Sequence, residues 1–153
     1  MSGKSAVDVA RAFLDVLWAE TPPGDAALLQ ALDRLLADAH DVLPANAADI
    51  DDDPPKGDWQ ALYREIGTRF SDYGFYSAAS PLEHGEPALL TGDAIDDLAD
   101  LTSDLREVVW RGERFGPGDA AWFFRLMHFH WGNHARELAL FLHARSGSGG
   151  VVE

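Results

Sequence analysis

DAAWFFRLMHFHWGNHARELALFLHAR, residues 119 to 145, is the stretch on which the fold turns. Phe123, Leu126, Met127, Leu138 and Phe141 share one stripe with His130 and His134 at helical spacing, and no Pro interrupts the run. The spacing predicts one long helix reaching to about Arg145, opened by Asp119 as its cap after the breaker Gly116-Pro117-Gly118. The segment before the breaker has the same character. Thr91 or Asp93 opens a helix that carries Ile95, Leu98, Leu101, Thr102, Leu105, Val108 and Val109 on its inward side and frays at Gly112. Two long amphipathic helices joined by so short a break are expected to pair as an antiparallel hairpin.

Three shorter helices precede them. Ser5 caps the first, which runs to about Glu20 with Ala6, Val9, Ala10, Phe13, Val16 and Leu17 inward and stops at Thr21-Pro22-Pro23-Gly24. Asp25 caps the second, in which Leu28, Leu32, Leu35, Leu36, Ala39, Val42 and Leu43 recur until Pro44 ends it. Residues 44 to 57, rich in Asp, Ala and Pro, read as an exposed and mobile loop. Asp58 caps the third, with Trp59, Leu62, Tyr63, Ile66 and Phe70 on one face. Residues 72 to 92 mix Tyr73, Phe75 and Tyr76 with Gly, Ser and Pro, the composition of a loop anchored by its rings. No segment alternates with period two over a strand's length. The expected fold is therefore all-α: about five helices in a compact bundle, one domain over residues 1–145, with a disordered tail over 146–153.

Charge and composition narrow the function. A net charge of -14 with only 12 Lys and Arg argues against a polyphosphate partner and against anionic lipid, so neither nucleic acid nor membrane is expected. There is no cysteine, which removes disulfides, thiolate nucleophiles and the common cysteine-based metal sites. Asp8, Arg11 and Asp15 interrupt the apolar start that a signal peptide would need, so a cytoplasmic location is expected.

The residues that can carry chemistry cluster on the last helix. Two imidazoles at i and i+4, His130 and His134, can reach one ion, and Glu137 can add an oxygen. Across the hairpin, Asp97 and Asp104 flank the apolar face and can point toward them, whereas Asp96 and Asp100 project more toward solvent. The set expected for a divalent metal ion is His130, His134, Glu137 and Asp104. The competing reading needs no metal: buried imidazoles bonded to carboxylates form a polar core layer, to which Trp131, Gly132, His143 and Asp100 would also belong. Gly132, costly in mid-helix, implies close approach by another backbone or ring. The intervening Trp131-Gly132-Asn133 offers no glutamate base, so the run is not the HExxH signature of zinc proteases.

At these residues the chain resembles a bacterial domain-of-unknown-function family, number 5063, marked by an aromatic-rich helix with HWGxH and a later Leu-His. Here they are His130-Trp131-Gly132-Asn133-His134 and Leu142-His143. The family's preceding LADxYxDL pattern is similar to Leu98 through Leu105, with Thr102 where the family has tyrosine, and Leu43-Pro44 is similar to the end of its second helix. If that tyrosine bonds a helix-five histidine in relatives, the polar layer here must be completed by Asp104 or a water. The resemblance implies a helical protein and brings no activity or cofactor.

The functional expectation is a noncatalytic domain that binds another protein, on its acidic surface, surplus rings and lack of a catalytic signature, with homodimerisation as one form of it. The alternative is the His/carboxylate metal protein, catalytic if a coordination position stays open.

Overall fold

Three helix starts are fixed by short polar side chains. Ser5 Oγ accepts the Asp8 N–H at 3.2 Å, Asp58 accepts that of Ala61 at 3.0 Å, and Asp93 accepts those of Ile95 and Asp96 at 2.9 and 3.3 Å. The computed structural model describes residues 3–85 and 90–150, with side chains through residue 147. Among them the order is α1 (Ala6–Leu17), α2 (Asp25–Ala39), α3 (Trp59–Arg69), β1 (Phe75–Ala78), β2 (Leu90–Asp93), α4 (Ala94–Phe115), α5 (Pro117–Leu126) and α6 (His128–Gly150). This is an all-α helical bundle with a small hairpin on its side. None of the described helices is long and apolar enough to cross a membrane.

Helix α4 is the axis of the bundle, packing against α1, α3, α5 and α6, while α2 closes the far side against α1 and α6. Its Leu98, Leu101, Leu105 and Val108 are fully buried, as are Leu17 of α1, Leu28 and Leu32 of α2 and Leu138 of α6. Gly112 lies inside α4 rather than at a frayed end, and a Cβ there would overlap the Val7 side chain, so the glycine lets α1 and α4 come together. Thr102 is buried and its hydroxyl accepts the Trp18 indole N–H at 3.2 Å, an inter-helix bond unrelated to the histidines.

The long last helix expected from the sequence is two helices. The chain breaks at Met127 (φ -89, ψ 3), where the His130 N–H turns back to the Met127 carbonyl at 2.8 Å. The break resets the helical phase. In α6 the buried line is Trp131, Ala135, Leu138 and Leu142, and the histidines, expected in mid-stripe, lie at its half-buried edge. Asp119 is not a cap either. Pro117 starts α5 after Gly116, and the Asp119 carboxylate, 4% exposed, takes Arg111 at 3.0 Å and the Ala48 N–H at 2.9 Å. Those bonds and an Arg114–Asp52 ion pair at 2.5 Å tie the loop expected to be mobile onto the α4–α5 corner. Asp25 likewise stands inside α2, behind Gly24, and accepts from Tyr73 and Arg145.

The expected loop at 72–92 contains an antiparallel hairpin pairing Phe75 with Asp93, Tyr76 with Gly92, Ser77 with Thr91 and Ala78 with Leu90. Gly92 is required there because the Tyr76 ring occupies the place of its Cβ. Tyr73 and Tyr76 do anchor the segment, Tyr76 stacking on Phe141 of α6 at 5.0 Å, whereas Phe75 is largely exposed. Helix α6 continues through 146–150, where a tail was expected, and 151–153 of that tail lie outside the described residues.

Candidate metal centre

Helices α4 and α6 run antiparallel, so residues spaced by one turn on each meet in register. Asp104 faces His130, Asp97 faces His134, and Asp100 stands between the two rings. His130 Nδ1 is 2.7 Å from Asp104 Oδ2 and His134 Nδ1 is 2.7 Å from Asp97 Oδ1. A neutral imidazole that donates from Nδ1 keeps its lone pair on Nε2. Both Nε2 atoms approach the same oxygen, Asp100 Oδ2, at 3.0 Å from His134 and 4.0 Å from His130. The donor atoms of Asp100, His130 and His134 all fall within 4.8 Å of one another. A tetrahedral ion about 2.0–2.1 Å from each donor would hold them about 3.3 Å apart, a small adjustment of side chains that are only half buried.

Two further side chains hold this arrangement from outside the helix pair. The Trp59 indole N–H, at the start of α3, donates to Asp100 Oδ1 at 3.2 Å and leaves Oδ2 to the histidines. The Tyr76 hydroxyl donates to Asp97 Oδ2, the oxygen that His134 does not use. Burial pushes the Tyr76 hydroxyl above its ordinary range and the bond to Asp97 adds to it, so it remains a donor.

Without an ion the site holds a proton. Burial opposes a charge on His134, but its bonds to Asp100 and Asp97 outweigh that, raising its pKa to about 10. Burial also acts against the charge on Asp100, yet His134, His130 and Trp59 together keep its carboxyl below the ordinary range. For Asp104 and Asp96 burial prevails and both are pushed up. A divalent cation would take the place of the His134 Nε2 proton between the same atoms.

The residues expected from sequence divide clearly. His130 and His134 come together, Asp104, expected as a ligand, bonds His130 Nδ1 and stands outside the donor group, and Asp100, expected toward solvent, is the central oxygen because α6 covers that side of α4. Glu137 does not join the set: it lies one turn further along α6 and lines a groove with Tyr76, Arg136 and Phe141. His143 is exposed and takes no part in a polar layer. Trp131 is a core side chain, fully buried, its indole N–H donating to the Phe124 carbonyl at 2.9 Å. At Gly132 the close neighbour is the His128 ring, whose Cδ2 would be 3.1 Å from a Cβ. Trp59 and Tyr76 had no signal in the sequence, since each reaches the site from a distant element. A second grouping, Asp96, Asp97 and His134, would use the Nδ1 already bonded to Asp97.

No protein-family model matches the chain, and no curated protein matches it. Among solved structures, a crystal structure of protein BF1032 from Bacteroides fragilis, a structural genomics target, is similar to the chain at a TM-score of 0.65 and 17% identity, covering 91% of this chain and 88% of that one. At that identity the likeness is one of fold.

Proposed function

We propose that the protein binds a divalent transition-metal ion between α4 and α6, through Asp100 Oδ2, His130 Nε2 and His134 Nε2. One observation carries this reading. Each imidazole gives its Nδ1 to its own carboxylate while both Nε2 atoms turn to a shared third oxygen, the arrangement in which carboxylates orient and strengthen histidine ligands. A layer serving only to satisfy buried imidazoles has no need of a common focus, nor of rings that are 18% and 36% exposed. Two nitrogens and one carboxylate suit zinc, iron, nickel or manganese, and three protein ligands leave at least one position open. The test is elemental analysis of protein purified without chelator, beside a His130→Ala/His134→Ala variant. Near-stoichiometric metal, lost in a variant that still folds, supports the reading; metal-free protein that also takes up none on dialysis against zinc refutes it.

Protein binding is the second reading. It is favoured by a groove of about 780 Å³ between β1 and α6 whose rim includes Leu90 and Leu140, 47% and 68% exposed, beside Arg136. Homodimerisation through this face would appear in sedimentation as a dimer that Leu140→Glu converts to monomer; a strict monomer at all concentrations counts against it. A cytoplasmic location accords with either reading, as does membership of the domain-of-unknown-function family 5063, proposed on the His130–His134 run.

A further inference from the structure

We infer that the open side of this metal centre accepts neutral or cationic ligands and turns anions away, which excludes phosphate esters and carboxylates as its substrates. The inference rests on the proposed metal site and follows from the charges around it. Four carboxylates surround the two imidazoles: Asp100 between the rings, Asp104 on His130, Asp97 on His134, and Asp96 with an oxygen 4.0 Å from His134 Nδ1. Among the described residues none of the four lies within ion-pair distance of a Lys or Arg, their charged contacts being the histidines alone. None of the α4 arginines pairs with these carboxylates. Arg111 pairs with Glu107 and Asp119, Arg114 with Asp52, and Arg106 lies over the Trp18 ring.

With both imidazoles neutral as ligands, a divalent ion cancels only half of the carboxylate charge. An anion at the open position would then meet a net negative site inside a chain of net charge -14. The ring of Trp59, 39% exposed and bonded to Asp100, puts an aromatic group beside that carboxylate, and aromatic faces attract cations rather than anions. Metal sites that handle phosphoryl groups do the reverse, placing Arg or Lys around the ion to hold the charge that develops. The groups assembled here suit a neutral donor.

The test uses the full chain loaded with cobalt(II), whose visible spectrum changes when an outside ligand enters the coordination sphere. Imidazole is expected to shift the spectrum, and azide to leave it unchanged over the concentration range in which imidazole saturates. Asp96→Asn removes one surplus charge without touching the three ligands. One charge about 8 Å away, at an effective dielectric constant between about 20 and 40, alters anion affinity by about 5- to 30-fold. Azide binding should therefore strengthen by that factor in Asp96→Asn while imidazole binding stays within about twofold. Azide that binds wild type as readily as imidazole, or an azide affinity that Asp96→Asn does not move, overturns the inference and leaves the metal site standing. A spectrum that neither probe alters overturns it too, since the site would have no open side. Failure to load cobalt at all overturns the metal reading itself, and the inference with it.

Discussion

Replacing Asp97 with asparagine tests the metal centre without touching a ligand. Asp97 is 2% exposed, receives His134 Nδ1–H at 2.7 Å and accepts the Tyr76 hydroxyl on its other oxygen. Asparagine fills the same space and still offers one oxygen to His134. It brings no charge, and its amide group can only donate toward the Tyr76 hydroxyl, which must rotate to accept. The imidazole loses basicity and part of its fixed orientation, an effect expected to weaken metal binding by about 10- to 100-fold, or about 1.4–2.7 kcal/mol. Asp104→Asn should do the same through His130, and the double variant should depart from the sum of the two, because both rings hold the same ion and approach the same Asp100 oxygen. The assay is a zinc competition against a chromophoric chelator at pH 7, with circular dichroism to confirm that each variant is folded. Glu137→Gln is the control: Glu137 lies outside the donor set and its loss should change zinc affinity by less than about twofold. An Asp97→Asn protein that binds zinc like wild type would refute the orienting role of Asp97, and a Glu137→Gln protein that does not would refute the donor set.

In chelator-treated protein, His134 has a folded pKa near 10 against an ordinary 6.5, so its stabilisation is complete below about pH 6.5 and is lost as pH rises through 10. Thermal melts should show wild type losing more stability than His134→Gln across that window, and parallel slopes would contradict the paired imidazolium. Trp131→Ala should cost about 3–5 kcal/mol in urea unfolding, because the fully buried indole packs on Phe124 at 4.7 Å and bonds its carbonyl; a loss under about 1 kcal/mol would mean the α5–α6 corner does not depend on that ring. Gly116→Ala should cost about 1–3 kcal/mol, since φ 101 with ψ 171 is a conformation essentially confined to glycine, and an unchanged denaturation midpoint would refute that turn geometry.

Local chemistry made much of this protein legible from its sequence. Apolar spacing of three and four set α1, α2, α3 and α4 to within a few residues, with capping side chains fixing the starts of α1, α3 and α4, because each signal is contained in the element it describes. The same locality brought His130, His134 and Asp104 forward as candidates. Tertiary packing decided the rest. No residue type announces the break at Met127, yet it turns the phase of α6, buries Trp131 and leaves the histidines on the edge that faces α4. Strands of four residues are too short to show a period, so the hairpin exists only through its pairing and through Tyr76 lying across Gly92. Taken alone, α4 has a polar side at Asp100, and its sequence points that residue toward solvent. It became the central oxygen because α6 lies over that side in antiparallel register, and which carboxylates meet which imidazoles depends on how two helices cross, a relation no segment of either helix contains.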